Sequence, residues 1–522
     1  MNKFKYLVVV FLFAASCAGV QKYYNQLESF MLQDDRTSAE TLATASKEAY
    51  GAKNELLYYL DVGMLNHFSQ KYKESNSAFE EAKRIYDINY TKSISAGLFS
   101  LFSNDNMVPY YGEPYEMAYA NIFCALNYIM QGMNNESVVE ARQTDNLFKK
   151  IQADSNGKAF YSDDGFIRYF MGIVYENAGY SNDALISYKM ALKAYGNSNL
   201  YVVPVPADLV NNLYTLYCKF GMNQEAADLK TIYSYASRTD APGTGELIVI
   251  DYNGLSPKKI ENILEISLYK ALPFFNSVQI TNDDQAKAQE VRAAVQAGIS
   301  DDYIKVSFPK YYRYNNLITS FSLEETVSVS SNSVTTSEIK GYNAADIASL
   351  LEKYLDNKIA LIYARTIARA VGRYILTKTV ADSVKKQSEN DSLGILTKSL
   401  LNIATSYMEK ADTRSWRTLP ANINMSRVRL RPGTHEININ YLDNYSNVVS
   451  SKKISATIQE NKKTFVIVNS FINYKGNPPS QNVQQYKSNV NVSANYSSNE
   501  YKSTSQENKS SSQSMQRQRR FR

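Results

Sequence analysis

The chain has 522 residues, 44% of them hydrophobic, with 57 Lys and Arg against 51 Asp and Glu. That length is too great for one ordinary core and sufficient for two or three domains. The net charge of +6 does not mark a nucleic-acid binder, because residues 475–522 hold eight Lys/Arg and two Glu, whereas residues 17–474 hold 47 basic and 49 acidic groups. The body is therefore close to neutral and unsuited to tracking phosphates. Tyrosine is over-used, 42 residues against the single Trp416. A Tyr-rich face can pack inward while its hydroxyls reach water or a partner.

Residues 1–16, MNKFKYLVVVFLFAAS, combine Lys3 and Lys5 with a short apolar core at Tyr6–Phe13. That core is too short to span a bilayer as a lasting helix and reads as a signal peptide. Small residues then precede Cys17, which resembles the bacterial lipobox; Ala14, where Leu is usual, is a departure. The resemblance implies cleavage before Cys17 and lipidation of its thiol. Ala18 after the Cys favours an outer-membrane address, facing the periplasm. The remaining cysteines, Cys124 and Cys218, lie in apolar helical patterns and read as buried thiols. The two histidines, His67 and His435, are far apart, so neither a zinc site nor a His-based triad is expected. No metal and no cofactor is expected elsewhere.

The helical half, residues 17–240, is organised around Asp164–Leu192. Gly172 is the small residue where two helices touch, Tyr175 follows one turn later, and Gly179 sits at the turn. Ala184, Tyr188 and Ala191 then recur at helical spacing. This succession resembles the tetratricopeptide repeat (TPR), which needs stacked neighbours to bury its face. Two short helices before it are expected at Tyr23–Arg36 and Ser38–Gly51. Further units are read from Asn54 (Tyr59, Gly63, Tyr72, Phe79, Ala82), from Glu116 (Ala125, Tyr128, Gly132) and around Tyr217, Gly221 and Ala226. Their irregular spacing implies insertions near Asn89–Pro114 and Asp145–Asp163. The first is either a lid over the concave face or a loop packed outside the stack. Tyr128 and Tyr175 are the candidate partner-binding residues.

Residues 245–343 read as a β-rich segment. A buried strand, Leu247–Tyr252, is followed by a turn at Asn253–Gly254 and a helix or loop opened by Ser256–Pro257. Tyr303–Tyr314 alternates like a strand ending at Pro309, and Ile318–Ile339 suggests one or two more. Residues 344–412 return to helix. There Arg365, Arg369 and Arg373 share one face and could hold an anion or pair with neighbouring acids. Residues 413–474 carry strands near Ser426–Leu430, His435–Tyr441, Val448–Ile458 and Thr464–Phe471. They suggest a small β-sandwich, completed by the strands near Leu247 and Tyr303. Asp412, Arg414 and Arg417 form either a polar site or an ion pair at the domain junction. Residues 475–522 are polar, basic and too poor in apolar groups to fold. The expected fold class is α+β: a TPR-like α-solenoid, a mixed helical and β-sandwich-like region, and a disordered tail.

Four segments together resemble a family of largely uncharacterised TPR-containing bacterial lipoproteins. They are GEPYEMAYANIFCALNYIMQG with VVEAR, GELIVIDYNGLSPKK, the Arg365–Arg373 helix, and ADTRSWRTLPANI with RLRPGTHEI. The resemblance implies an envelope protein, some of whose relatives are encoded beside lipoproteins linked to cell-wall synthesis or secretion; that it is no enzyme is expected from the residues, which offer no His- or Cys-based chemistry and no standout carboxylate pair. It carries over no reaction and no catalytic residue. The expected function is a lipid-anchored scaffold whose helical repeats hold another envelope protein. The alternative is a SusD-like glycan-binding lipoprotein, for which sugar-stacking aromatics would be needed.

Overall fold

The protein is described from a computed structural model that covers residues 23–95, 108–157, 159–197, 200, 202–277, 285, 289, 291–293, 303–329, 333–387 and 410–471. The signal segment, Cys17 and the basic tail lie outside the described residues.

Helix α1 spans residues 23–32 and α2 spans Arg36–Ala45. Four antiparallel pairs then follow: α3 (Glu55–Phe68) with α4 (Tyr72–Ser95), α5 (Pro114–Met130) with α6 (Asn134–Asp154), α7 (Gly165–Asn177) with α8 (Ser181–Tyr195), and α9 (Ala207–Lys219) with α10 (Asn223–Ile232). The helix ends follow their sequence signals. Glu113 and Glu116 form a reciprocal capping box with Pro114 at the first turn of α5, and Asp164 caps α7 through the Ile167 N–H at 2.9 Å. Gly172 lets α7 and α8 meet, since a Cβ there would lie 2.2 Å from the Tyr188 ring. Gly179 takes φ +86° at the turn between them.

Ten strands follow. β1 (Gly245–Leu255), β6 (Tyr342–Asp346), β7 (Pro420–Leu430) and β10 (Lys463–Ser470) form one sheet in the order β10-β1-β7-β6, with β10 parallel to β1 and the other pairings antiparallel. β4 (Ser320–Val329), β5 (Ser333–Lys340), β8 (Gly433–Leu442) and β9 (Val448–Ile458) form an antiparallel sheet in the order β5-β4-β8-β9. β1 is buried along its whole length, on both faces. Leu247 and Val249 meet Ile437, Ile439 and Ile458 of the second sheet, while Ile248, Ile250 and Tyr252 join the core of the helical stack. The order of layers is therefore helices, first sheet, second sheet.

A side module packs α11 (Leu268–Ser277) and the long α12 (Ile347–Gln387) against a hairpin of β2 (Lys258–Ser267) and β3 (Tyr303–Tyr312), through Phe275, Val306, Phe308, Ile367 and Val371.

Several expectations need correction. The strand near Leu247 is β1 and joins the sandwich as expected, but β4, β5 and β6 also join it from outside residues 413–474. The Tyr303 strand belongs to the hairpin and runs through Pro309, which pairs with Glu261. β1 does not turn at Asn253–Gly254; the strand runs on to Leu255 in unbroken register with β7, with Gly254 at φ +62°. Lys258–Ser267 is a strand, not a helix or loop. Residues 344–346 are the end of β6 rather than the start of a helix. The Asp145–Asp163 insertion is mostly a lengthened α6.

Candidate functional site

In a stack of helix pairs, the first helix of each pair lines the concave face. Here α3, α5 and α7 are buried on nearly every side, one flank on the second helices and the other on the β region. The concave face is thus filled by the chain itself, by the first sheet and by the segment Asp412–Leu419 that leads into β7.

That segment is held mainly by side chains. Glu116, fully buried on α5, accepts the Trp416 N–H at 3.1 Å, the Glu113 N–H at 2.9 Å and the Tyr110 hydroxyl at 2.9 Å. Asp61 on α3 accepts the Thr418 hydroxyl at 2.8 Å, the Thr418 N–H at 3.3 Å and the Tyr50 hydroxyl at 2.8 Å. The Trp416 ring, 1% exposed, stands edge-on to Phe79 and Phe123, and its indole N–H donates to Thr418 at 2.8 Å. Arg414 is bidentate on Asp412 and also donates to the Val108 carbonyl at 2.9 Å. The Arg417 guanidinium lies over the Tyr24 ring. Of the two readings of this cluster, the junction role is the one with contacts. Burial pushes Asp61 up to about 6 and Glu116 up to about 7, and the hydrogen bonds to them and the charges of Arg417 and Lys259 offset it only in part.

Farther along the same junction the electrostatics reverse. Arg427 on β7 donates to Glu246 at 2.7 Å and to Glu176 at 3.1 Å, and Lys463 bonds both carboxylates. Burial alone would raise Glu246, but Arg427 and Lys463 outweigh it and hold the carboxyl well below the usual range. Tyr188 donates to Glu176 at 2.8 Å. The tyrosine excess finds its partner here: Tyr195 donates to the Ala344 carbonyl at 2.7 Å, and Tyr169 and Tyr115 meet the hydroxyls of Tyr342 and Tyr311.

The expected site residues are placed differently. Tyr175 is buried and Tyr128 partly so, and the charges around both phenols come from α4, α6, α7 and α8 rather than from the segment in the groove. Arg369 and Arg373 are buried in the side module and Arg365 is partly buried, so the row is no exposed anion face. Arg369 donates to the Thr366 hydroxyl at 3.3 Å. His67 bonds Asn127 at 2.5 Å and Tyr252 at 2.9 Å, and burial lowers it to about 4, so it is neutral. The other histidine, His435, sits on the second sheet against Glu325. The inserted Asn89–Pro114 segment is described only in part; its Tyr110 is buried and packs inward on Glu116.

Cys124 is not isolated from other ligands as its sequence context suggests, since Glu80 and Glu140 lie beside it. The Lys83 ammonium already occupies that cluster, at 2.6 Å from Glu80 and 2.9 Å from Glu140. Cys218 is only partly buried. Among the described residues no helix is long and apolar enough to cross a membrane.

The residues that sequence reasoning missed are Asp61 and Glu116. One signal was available: PYEMAYANIFCALNYIM is apolar all round, which requires cover on both sides of that helix.

No family model and no curated protein matches the chain. Among solved structures it is similar to MamA (11% identity, 39% of this chain and 89% of that one, TM-score 0.25). It is also similar to YrrB, described as a TPR protein with an unusual peptide-binding site (13%, 40% and 81%, TM-score 0.25). A third is a putative Podospora anserina kinesin light chain with nearly identical TPR-like repeats (14%, 41% and 92%, TM-score 0.27). At such scores the description of TPR-like helix pairs rests on the packing given above.

Proposed function

We propose that this chain is a non-catalytic scaffold of a bacterial cell envelope, tethered by lipid on Cys17, that binds another envelope protein. The observation that supports this most is the stack of helix pairs joined through one continuous core to a β-sandwich. Such a body offers a large, rigid, preorganised surface at little ordering cost on binding. The strongly shifted ionisable groups of the junction, Asp61, His67, Glu116 and Glu246, are buried and bonded to protein partners, which suits a structural role better than proton transfer to a substrate. The glycan-binding alternative loses support because Trp416, the one indole, is buried.

Crosslinking in intact cells, followed by capture of the full chain from solubilised membranes, tests the reading. One reproducible protein partner is expected, together with a diacylglyceryl group on Cys17 by mass spectrometry. Capture of no partner, alongside binding on a glycan panel, would replace it with the alternative.

A further inference from the structure

The junction between helices and sheets is polarised by charge. Residues 23–244 carry 18 basic and 26 acidic side chains, whereas residues 245–471 carry 28 basic and 23 acidic ones. The contacts follow the same sense. In Glu28–Lys258, Glu113–Lys358, Glu176–Arg427 and Glu176–Lys463 the acid is on the helical side and the base on the other. Such complementarity is what steers two separate partners together.

Within this junction Asp412–Leu419 behaves as a bound peptide does. It is coil up to Trp416 and bends into β7 only at its end. The backbone N–H groups of Trp416 and Thr418 are satisfied by the Glu116 and Asp61 carboxylates rather than by a sheet ladder. Its indole fills an aromatic pocket made by Phe79 on α4 and Phe123 on α5. Its two arginines lie over Tyr110 and Tyr24, both contributed from the helical side. On the β side it is tied at Ser256, between β1 and β2, whose N–H donates to the Leu419 carbonyl at 2.9 Å and whose hydroxyl donates to the Trp416 carbonyl at 3.3 Å.

We propose that the concave face of the helix stack is a recognition site for a basic, tryptophan-bearing extended segment, and that Asp412–Leu419 occupies it in cis. A protein partner reaches this face by presenting a segment of the same chemistry. The proposal rests on the scaffold reading above and names the chemistry of its partner. A tethered occupant acts at millimolar effective concentration, so a competing segment wins only where the cis segment opens locally.

Two measurements on the full chain test this. In hydrogen exchange, the Trp416 and Thr418 amides should exchange at least tenfold faster than the Met425 amide of β7, and faster still in high salt. Equal rates at both salt concentrations make the segment ordinary core and overturn the proposal. In the second measurement, a W416A chain with unchanged circular dichroism and elution volume is titrated with a labelled synthetic peptide, Lys410–Pro420. It should bind at least tenfold more tightly than the wild-type chain does, and a peptide carrying Ala in place of its Trp should not bind. A folded W416A chain that ignores the peptide, or equal binding by both chains, also overturns it. If W416A does not fold, the exchange rates decide alone. Peptide binding without any captured envelope partner would sink the scaffold reading and leave the groove chemistry standing; a captured partner without peptide binding would do the reverse.

Discussion

Two clusters of buried carboxylates lie at the same junction and behave in opposite ways. Asp61 and Glu116 are surrounded by hydroxyls and backbone N–H groups, and burial pushes them up to about 6 and about 7. Glu246 is as deeply placed and Glu176 is partly buried, yet Arg427 and Lys463 hold both below the usual carboxylate range. Dipoles satisfy geometry at the first cluster, whereas full charges answer burial at the second. The lesson is that hydrogen-bond satisfaction does not by itself hold a buried acid's pKa down; a cation within contact does.

Removing the cation should break the contrast, with the largest effect. Arg427→Met would leave Glu246 and Glu176 sharing Lys463 alone. A loss of about 3–5 kcal/mol is expected, as for other buried pairs stripped of one partner. Urea unfolding at pH 7 measures it. The sign with pH follows from the lowered Glu246: its stabilisation is present above the unfolded carboxylate pKa and is lost as pH falls through the folded one. The variant should therefore lose stability in acid less steeply than the wild type.

Asp61→Asn sharpens the contrast from the other side. Asp61 has a folded pKa raised above its unfolded value, so its contribution favours folding in acid and is lost as pH rises toward about 6. Asn keeps an acceptor for Thr418 and removes the titration. Relative to wild type, the variant should gain up to about 3 kcal/mol between pH 3.5 and pH 8. Chemical unfolding across that range measures the difference; parallel curves would contradict it.

Gly172→Ala probes the ionic cluster indirectly. The added methyl would strike the ring of Tyr188, whose hydroxyl supports Glu176. Ala gains about 1 kcal/mol over Gly in helix propensity, but overpacking costs about 1–3 kcal/mol. A net loss of about 1 kcal/mol is expected in thermal or urea unfolding.

The helix pairs were legible because their signals are local. Gly172, Gly179, Ala184 and Tyr188 fall at fixed offsets, and each does in the structure what its type allows. The sheet region was legible strand by strand but not in its assembly. β1 sits between β10 and β7, which lie 165 or more residues later, and no local pattern encodes such a register. Ser256–Pro257 before KKIENILEIS is a sound helix start on propensity, yet pairing with Tyr303–Tyr312 overrides it. Repeat position alone selects Tyr128 and Tyr175 and leaves open what fills the groove; the all-round apolarity of the inner helices is the feature that announces a covered concave face. The burial of Arg369 and Arg373 escapes the sequence for a related reason. A four-residue charge row looks exposed until a second apolar layer, here Phe275 and Val306 with Ile367 and Val371, closes over the helix.

The smallest expected effect uses the chain's two histidines as internal reporters of the same rule. His67 is buried against Asn127 and Tyr252, neutral dipoles, and burial lowers it to about 4. For His435 burial also pulls downward, but the Glu325 carboxylate at 2.5 Å outweighs it and raises the imidazole above its ordinary value. A raised histidine contributes stability below its unfolded pKa, and the contribution is lost as pH rises through the folded one. Because the pair sits at the rim of the second sheet, its contribution should stay within about 1 kcal/mol. Proton NMR of the two imidazoles separates the cases, since one resonance should titrate above pH 6.5 and the other stay flat to below pH 5. Glu325→Gln should bring the first down and leave the second unmoved. If both moved together, the contrast between dipole-held and charge-held groups would not be a local property, and the reading of the two carboxylate clusters would fall with it.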